Sequence, residues 1–430
     1  MGTRFTLFAL FVVSVLAFLD RQLLNILVAP MRADLRISDA QFSLLQGAAF
    51  ALTYCLAAFP IAWLSDRVSR KTVIMVSVAV WSIATLLFGL ASGLGLLLAA
   101  RMAVALGEAG LSPAAISILR QSYPVDRQAF AMGALTLSVY VGGGASLAIG
   151  GPVLDWLTTQ ASDPAPGLSW LSALAPWRWL FVACAVLGIL GVVLMAFMHE
   201  PERQPVPKES TSLAAFLTVI KDDRAAIMAY LLAFTAIAAL VTAATSWTPT
   251  LFIRDHEWSA RQTGAAYGAV YLVCGAIGAL GGGKLISDLA ARGHRDALIR
   301  TVRASILLLG VATMASCLVP HPLAALAAAG AGMLAVGAVI AAGPYGFQAL
   351  FPRQFSARAV ALYFLVPGTI GTVLGPSSVP LLARLLGAPE KIGMPLALCA
   401  VVTMVWAWAC LTIFLRLQAR RPARPATVTP

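Results

Sequence analysis

The sequence predicts an all-α polytopic membrane protein, with twelve transmembrane helices in two pseudo-symmetric six-helix bundles. Three observations carry that reading. Of 430 residues, 60% are hydrophobic and only 11% charged, where a soluble domain averages roughly 25% charged. Apolar runs of about twenty residues, the length that crosses a bilayer as helix, recur along the whole chain. One long polar stretch, HEPERQPVPKESTS (199–212), falls near the midpoint.

The runs place spans at 6–32, 40–64, 72–92, 94–119, 128–156 and 176–198, then at 224–253, 262–287, 300–319, 322–350, 358–386 and 393–416. The first follows Arg4 as a secretory signal would, but no small-residue cleavage site follows it, so it reads as an uncleaved helix. Related residues recur between the halves. Arg32 and Arg254 close the first span of each. Leu64-Ser65-Asp66 with Arg70 is matched by Ile286-Ser287-Asp288 with Arg292, and Gly151-Pro152 by Gly375-Pro376. All three matches share nearly one offset, close to half the chain, as a duplicated unit requires. The expected division is a bundle over 1–198, a linker over 199–222, a bundle over 223–418 and a basic tail over 419–430.

Between spans, most Lys and Arg residues fall on the side of the two termini, among them Arg67, Arg70, Lys71, Arg120 and Arg127. Both termini are therefore expected in the cytoplasm. The net charge of +12 follows from this bias and from attraction to anionic membrane lipid; it calls for no nucleic-acid partner. The six cysteines, Cys55, Cys184, Cys274, Cys317, Cys399 and Cys410, all lie inside apolar runs and read as small buried hydrophobes. No nucleotide-binding loop appears, and the four histidines fall in loops or at helix ends. An enzyme is not expected, nor a metal or a cofactor; an ion gradient is the natural energy source.

Four charges lie deep in spans: Asp20 and Arg21 in the first, Arg101 and Glu108 in the fourth. An ionised group at bilayer depth costs at least ~2.5 kcal/mol, so it faces a partner or a watery cavity. Arg101 and Glu108 are almost two helical turns apart and project from one face, ~10 Å apart along the axis. They are expected to meet Asp20 and Arg21 across a cavity rather than each other. Intramembrane ion pairs also serve simply to hold helices together, and that reading stays open beside the functional one. The four charges sum to zero when ionised. Protonating one carboxylate leaves the cavity positive, so that an anionic headgroup binds better and its departure favours proton release. Glu108 is the first choice as proton carrier and Asp20 the second.

The second half carries almost no deep charge. It offers Trp247, Tyr267, Tyr271, Tyr345, Phe347, Gln348 and Tyr363 instead. These are packing or interfacial residues, or they form an apolar, aromatic wall facing the charged one. A cavity with two such walls suits an amphipathic substrate better than a small sugar acid. Glycines at 142–144, 150 and 151, Pro249 in SWTPTLF (246–252), and Pro367, Gly371, Gly375, Pro376 and Pro380 allow close helix approach and bends. Packing and rocking motion explain them equally well.

The stretch AWLSDRVSRKTVI (62–74) resembles the loop signature of the major facilitator superfamily, with Ala62 and Ser69 standing where that family usually has Gly. Within it the chain is most similar to the spinster-like subfamily, through FLDRQLLNILVAPMRADL (18–35), RMAVALGEAGLSPAA (101–115), WRWLF (177–181), WTPTLFIR (247–254) and ARAVALYFLVPGTIGTVLGP (357–376). The resemblance implies the major facilitator fold and a monomeric secondary transporter that alternates between inward- and outward-open states, in a bacterial inner membrane. It implies protons and a lysophospholipid- or sphingolipid-like molecule as its partners. Asp20 and Glu108 then serve as coupling residues and Arg21 and Arg101 as headgroup residues. Trp247, Tyr271, Tyr345, Gln348 and Tyr363, from the uncharged wall of the second half, are the further expected substrate contacts. Asp66, Arg67, Arg70, Lys71 and, in the second half, Asp288 become gating residues. In that family the loop aspartate engages the cytoplasmic start of helix eleven, so Asp66 is expected near Ser356 to Arg358. Two alternatives remain: a proton symporter of a small organic anion such as a sugar acid, and a drug/proton antiporter.

Overall fold

The computed structural model describes residues 3–65, 67–201, 213–294, 296–352 and 355–419. Among them, 12 helices are long and apolar enough to cross a membrane. They are α1 (Thr3–Ile26), α2 (Asp39–Ser65), α3 (Arg70–Gly89), α4 (Leu94–Ser122), α5 (Phe130–Ser162) and α6 (Pro176–Ala196). After residues 202–212 come α7 (Arg224–Arg254), α8 (Ala260–Ala291), α9 (Ala297–Leu318), α10 (Pro322–Gln348), α11 (Arg358–Leu385) and α12 (Gly393–Ala419). Helix is the form such segments must take, because hydrocarbon offers no partner to an unpaired backbone N–H or C=O. Residues 202–212 of the expected linker and 420–430 of the expected tail lie outside the described residues. The rest of the linker includes a short helix, Leu213–Asp222.

The same device starts the second span of each half. Ser38 Oγ accepts from the Gln41 N–H at 3.2 Å, and Gln41 Oε1 accepts from the Ser38 N–H at 2.8 Å. At α8, Ser259 and Gln262 repeat the pattern at 3.1 and 3.0 Å. This is the capping box, which satisfies two orphan donors of a helix start reciprocally. SDAQ and SARQ are legible in the sequence and add to its duplicated residues.

One expected boundary moves. The first span does not run to residue 32: α1 tightens into a 3-10 turn over Leu24–Ile26, and a separate helix covers Val28–Leu35. Pro30 has no N–H to give to a preceding turn, so an uninterrupted helix cannot pass through it, whereas the first turn of a new helix tolerates it. At α11, a π-helical segment over Phe364–Gly368 contains Pro367 and precedes Thr369–Leu385. A proline inside a helix removes one hydrogen bond, and an inserted residue is a common way to accommodate it.

The halves meet along α5–α8 and α2–α11. Glycine makes the first contact close. A Cβ at Gly151 would lie 2.2 Å from the Ala260 carbonyl oxygen, and one at Gly268 would lie 2.5 Å from the Ala148 nitrogen. A Cβ at Gly47 of α2 would lie 2.7 Å from the Thr372 oxygen of α11. Close packing thus accounts for Gly144 and Gly151 of α5 against α8, and for Gly142 and Gly150 against α1. Hydrogen bonds join the halves from Gln22 to the Tyr271 hydroxyl (2.8 Å), from Asn25 to the Thr245 carbonyl (3.3 Å), from Arg32 to Glu390 and from Arg254 to Asp39. They lie at mid-depth or at the end away from the chain termini, called here the far face.

Candidate functional site

Sequence places Asp20 and Arg21 on α1 and Arg101 and Glu108 on α4; packing brings the four together. Arg21 donates from Nη2 to Glu108 Oε2, forming an ion pair. Asp20, 3% exposed, accepts a 2.6 Å hydrogen bond from the Thr85 hydroxyl of α3. Arg101, 2% exposed, donates from Nε to the Leu45 carbonyl at 3.3 Å and lies in the fields of Asp20 and Glu108. The centre is thus two carboxylates and two guanidiniums, with α3 contributing a hydroxyl that sequence reasoning missed. Buried Thr85 sits in the apolar ATLLFG stretch, and a hydroxyl there gives no periodic signal.

The four are not equally placed. The Glu108 side chain is 1% exposed, and that of Arg21 is 32% exposed. Arg21 also lies over the rings of Phe18 (4.9 Å), Phe50 (4.3 Å) and Tyr54 (5.7 Å). Glu108 Oε1 and Arg21 Nε are buried and make no hydrogen bond with the described residues. A buried polar atom left unpaired costs about 1–3 kcal/mol.

The aromatic residues of the second half divide by position. Trp247 is fully buried and its indole N–H donates to the Pro376 carbonyl at 2.9 Å, tying α7 to α11 rather than lining an open cavity. Phe347 is also fully buried, and Tyr267 is 2% exposed. Tyr271 takes the Gln22 amide one residue from Arg21, and its ring lies 6.1 Å from that of Tyr140. Tyr363 is 9% exposed and packs against Phe234 and Phe347. Tyr345 is 62% exposed and Gln348 half-buried. Of the expected substrate contacts in this half, Tyr271 is the one joined through Gln22 to the charged centre.

Of the expected gating residues, Asp66 lies outside the described residues. Arg67 stays local, with its guanidinium 3.5 Å over the Trp63 ring and a 3.2 Å hydrogen bond to the Trp63 carbonyl. Asp288 is exposed and forms no ion pair among the described residues. Arg70 is 1% exposed and bonds within the first half: to Glu200 (2.9 Å), Ser117 (3.2 Å), Gln121 (2.6 Å) and the Pro201 carbonyl (2.9 Å). Lys71 donates to the Ala196 carbonyl at 2.6 Å. In this conformation Arg70 and Lys71 bind the end of α6 to the α2–α3 turn.

Glu200 was not among the expected residues. Burial alone would raise its pKa, but hydrogen bonds from Ser69, from the Arg70 side chain and from the backbone N–H groups of Arg70 and Lys71 outweigh that and lower it to about 2. Because the folded-state pKa is depressed, this stability is fully present above the ordinary carboxyl value of 4.5 and is lost as pH falls from there through about 2. Glu200→Ala strands a buried guanidinium and is expected to destabilise the protein by about 3 kcal/mol, read as a lower melting temperature in detergent. An unchanged melting temperature removes Glu200 from this role.

The far face carries a second ionic cluster. Arg254 donates two hydrogen bonds to Asp39, at 2.7 and 2.8 Å, and Arg32 Nε lies 3.2 Å from Asp39. Arg32 also bonds both oxygens of Glu390, at 3.3 and 3.2 Å. Both arginines are duplicated residues of the sequence, each closing the first span of its half. Their carboxylate partners went unforeseen: Asp39 reads as a residue of a helix start and Glu390 as one of a loop. Nearby, Asp34 accepts from the Trp177 indole (3.0 Å) and from Arg178 (3.0 Å), which explains part of the WRWLF stretch as packing.

The chain matches the sequence model of the Major Facilitator Superfamily over residues 10–302. It is 28% identical to an MFS-type efflux pump of Mycolicibacterium smegmatis, over 70% of this chain and 67% of that protein. It is 27% identical to the D-galactonate transporter of Escherichia coli over 46% of this chain, and 26% identical to protein spinster homolog 1 of Xenopus tropicalis over 58%. It spans less than half the length of those two, 42% and 45% respectively. A crystal structure of a bacterial homolog to the human lysosomal transporter Spinster, inward-facing and unoccupied, superposes with a TM-score of 0.80 at 26% identity, over 99% of each chain.

Proposed function

The chain belongs to the Major Facilitator Superfamily, and from that premise we propose that it moves an amphipathic, lysophospholipid- or sphingolipid-like anion or zwitterion by proton-coupled alternating access. The observation that carries this reading is the setting of Arg21. Its side chain is about a third exposed, and its guanidinium is paired to an otherwise enclosed carboxylate and ringed by Phe18, Phe50 and Tyr54. A cation among aromatic faces suits a headgroup whose anion continues into hydrocarbon.

The coupling follows from one exchange of partners. With Glu108 ionised, Arg21 is satisfied by it. With Glu108 protonated, Arg21 loses its counter-charge and takes the substrate anion instead. Release of the anion returns Arg21 to Glu108 and favours loss of the proton. Asp20 and Arg101 stay behind as the balancing pair. Only such differential contacts between states can link two ligands.

The excess of Lys and Arg on the terminal side supports a cytoplasmic position for the termini. The far face is then the outer face, and a contact that closes it leaves the transporter open inward. The bacterial relatives support an inner-membrane location. A small organic anion is the second reading, favoured by the likeness to the D-galactonate transporter and to a probable galactarate/D-glucarate transporter of Bacillus subtilis. The two readings separate in proteoliposomes, by flux of labelled lysophospholipid and of galactonate with and without an imposed pH gradient. Gradient-dependent lysophospholipid flux is expected. Galactonate flux alone, from folded protein, would recast Arg21 and Arg101 as a carboxylate site.

A further inference from the structure

The far-face cluster borders an open cleft of about 720 Å³ lined by Ala29, Arg32, Ala33, Arg36, Ile37, Arg254, Glu390 and Lys391. Four of these side chains are cationic. Two belong to the first half (Arg32, Arg36) and two to the second (Arg254, Lys391). Of the nearby carboxylates, Asp39 and Glu390 are engaged by Arg32 and Arg254, and Asp255 accepts from the backbone N–H groups of Ile392 and Gly393. Arg36 and Lys391 are exposed and have no ion-pair partner among the described residues. The cleft therefore keeps two cationic side chains outside any ion pair among the described residues, one from each half, at a seam between the halves.

From this geometry we infer that the cleft is an anion site for a phosphate group, and that it is complete only while the far face is closed. An anion held by Arg36 and Lys391 together touches both halves. Opening the seam separates the two cations and removes half of the site. A ligand with contacts in one state only shifts the equilibrium toward that state. Phosphate on the far side thus acts as a clasp that favours the closed far face. Glu390, with a side chain 69% exposed, is the carboxylate an incoming anion displaces from Arg32; Asp39, 8% exposed, remains in place. The cleft is separate from the Arg21–Glu108 pair, so the site holds whatever the cargo is. A free phosphate and the phosphate of an anionic lipid headgroup present the same chemistry, and the test separates them.

The test uses the full chain in detergent, with labelled inorganic phosphate binding measured against chloride at matched ionic strength. Native protein is expected to bind phosphate, and Arg21→Gln protein to bind it equally. Arg36→Gln/Lys391→Gln is expected to weaken binding about tenfold or more, since two charge-assisted contacts are lost. Nanodiscs supply the lipid arm. A higher melting temperature in phosphatidylglycerol than in phosphatidylcholine, lost in the double variant, assigns the site to a headgroup. Phosphate binding without that lipid effect assigns it to the free anion. Equal phosphate binding by native and double variant, or an Arg21→Gln protein that alone loses it, overturns the site. So does the absence of both a phosphate and a lipid effect in native protein.

Discussion

Replacing Glu108 by glutamine is expected to abolish concentrative transport while leaving exchange across the membrane partly intact. One proton moving down a two-unit pH difference supplies about 2.7 kcal/mol, or an accumulation of about 100-fold. Native protein coupled to one proton per substrate is expected to approach that ratio when the electrical potential is held at zero. Glutamine keeps the shape of the protonated acid but cannot release a proton. Arg21 then stays free of its counter-charge at all pH values, substrate binding no longer responds to the proton, and the accumulation ratio falls to about one. Exchange persists because an anion can still bind Arg21 and cross with the conformational change. Parallel Asp20→Asn measurements assign the carrier. An accumulating Glu108→Gln protein beside an inert Asp20→Asn protein moves the proton to Asp20, whose hydrogen bond from Thr85 then belongs to the coupling path.

The second large effect is expected at the far face. Asp39 is nearly enclosed and takes three contacts from guanidiniums, two of them from Arg254 across the seam between the halves. Asp39→Asn removes the charge that both arginines share. Breaking a buried pair from one side costs about 3–5 kcal/mol, which shifts a two-state ratio by roughly 10²- to 4 × 10³-fold. The far face is therefore expected to open in most molecules. The check is a spin-label distance between Ala33 and Pro389, both exposed and on opposite sides of the seam, in a background with the six cysteines replaced. A longer distance in Asp39→Asn protein is the expected result. A distance distribution identical to that of the parent would show that the glycine contacts of α5 and α8 close the far face without help from the ions.

These two centres differ in how far they could be read from the chain. Asp20, Arg21, Arg101 and Glu108 stand out because charge is rare at bilayer depth, and helical periodicity puts Arg101 and Glu108 on one face. Their mutual approach needed only that α1 and α4 be neighbours. The far-face cluster was legible by half. Arg32 and Arg254 appear as matched residues of a duplicated unit, but Asp39 and Glu390 are carboxylates near water, where charge is ordinary and position along the chain says nothing of partners. Glu200 is the same case: a loop residue by sequence, yet the acceptor of hydrogen bonds from Ser69 and Arg70 more than a hundred residues away. Trp247 is a different case: by sequence it is a packing residue or part of an aromatic wall, and the structure puts its indole N–H on the Pro376 carbonyl.

The sequence by itself determined that the chain is helical, spans a membrane, is built from two related halves and places four charges in its interior. Those properties follow from local rules: the cost of unpaired backbone and of isolated charge in hydrocarbon, and the period of the helix. The tertiary structure alone decided which carboxylate meets which guanidinium, that Pro30 lies in a separate short helix, that Gly144 and Gly151 of α5 serve contact with α8, and that ion pairs cross the seam at the far face. Each of these depends on distances between residues far apart in the chain. Such distances are set by the packing of whole helices, where backbones at glycine-lined contacts approach to within a side chain's width, and no local pattern encodes them.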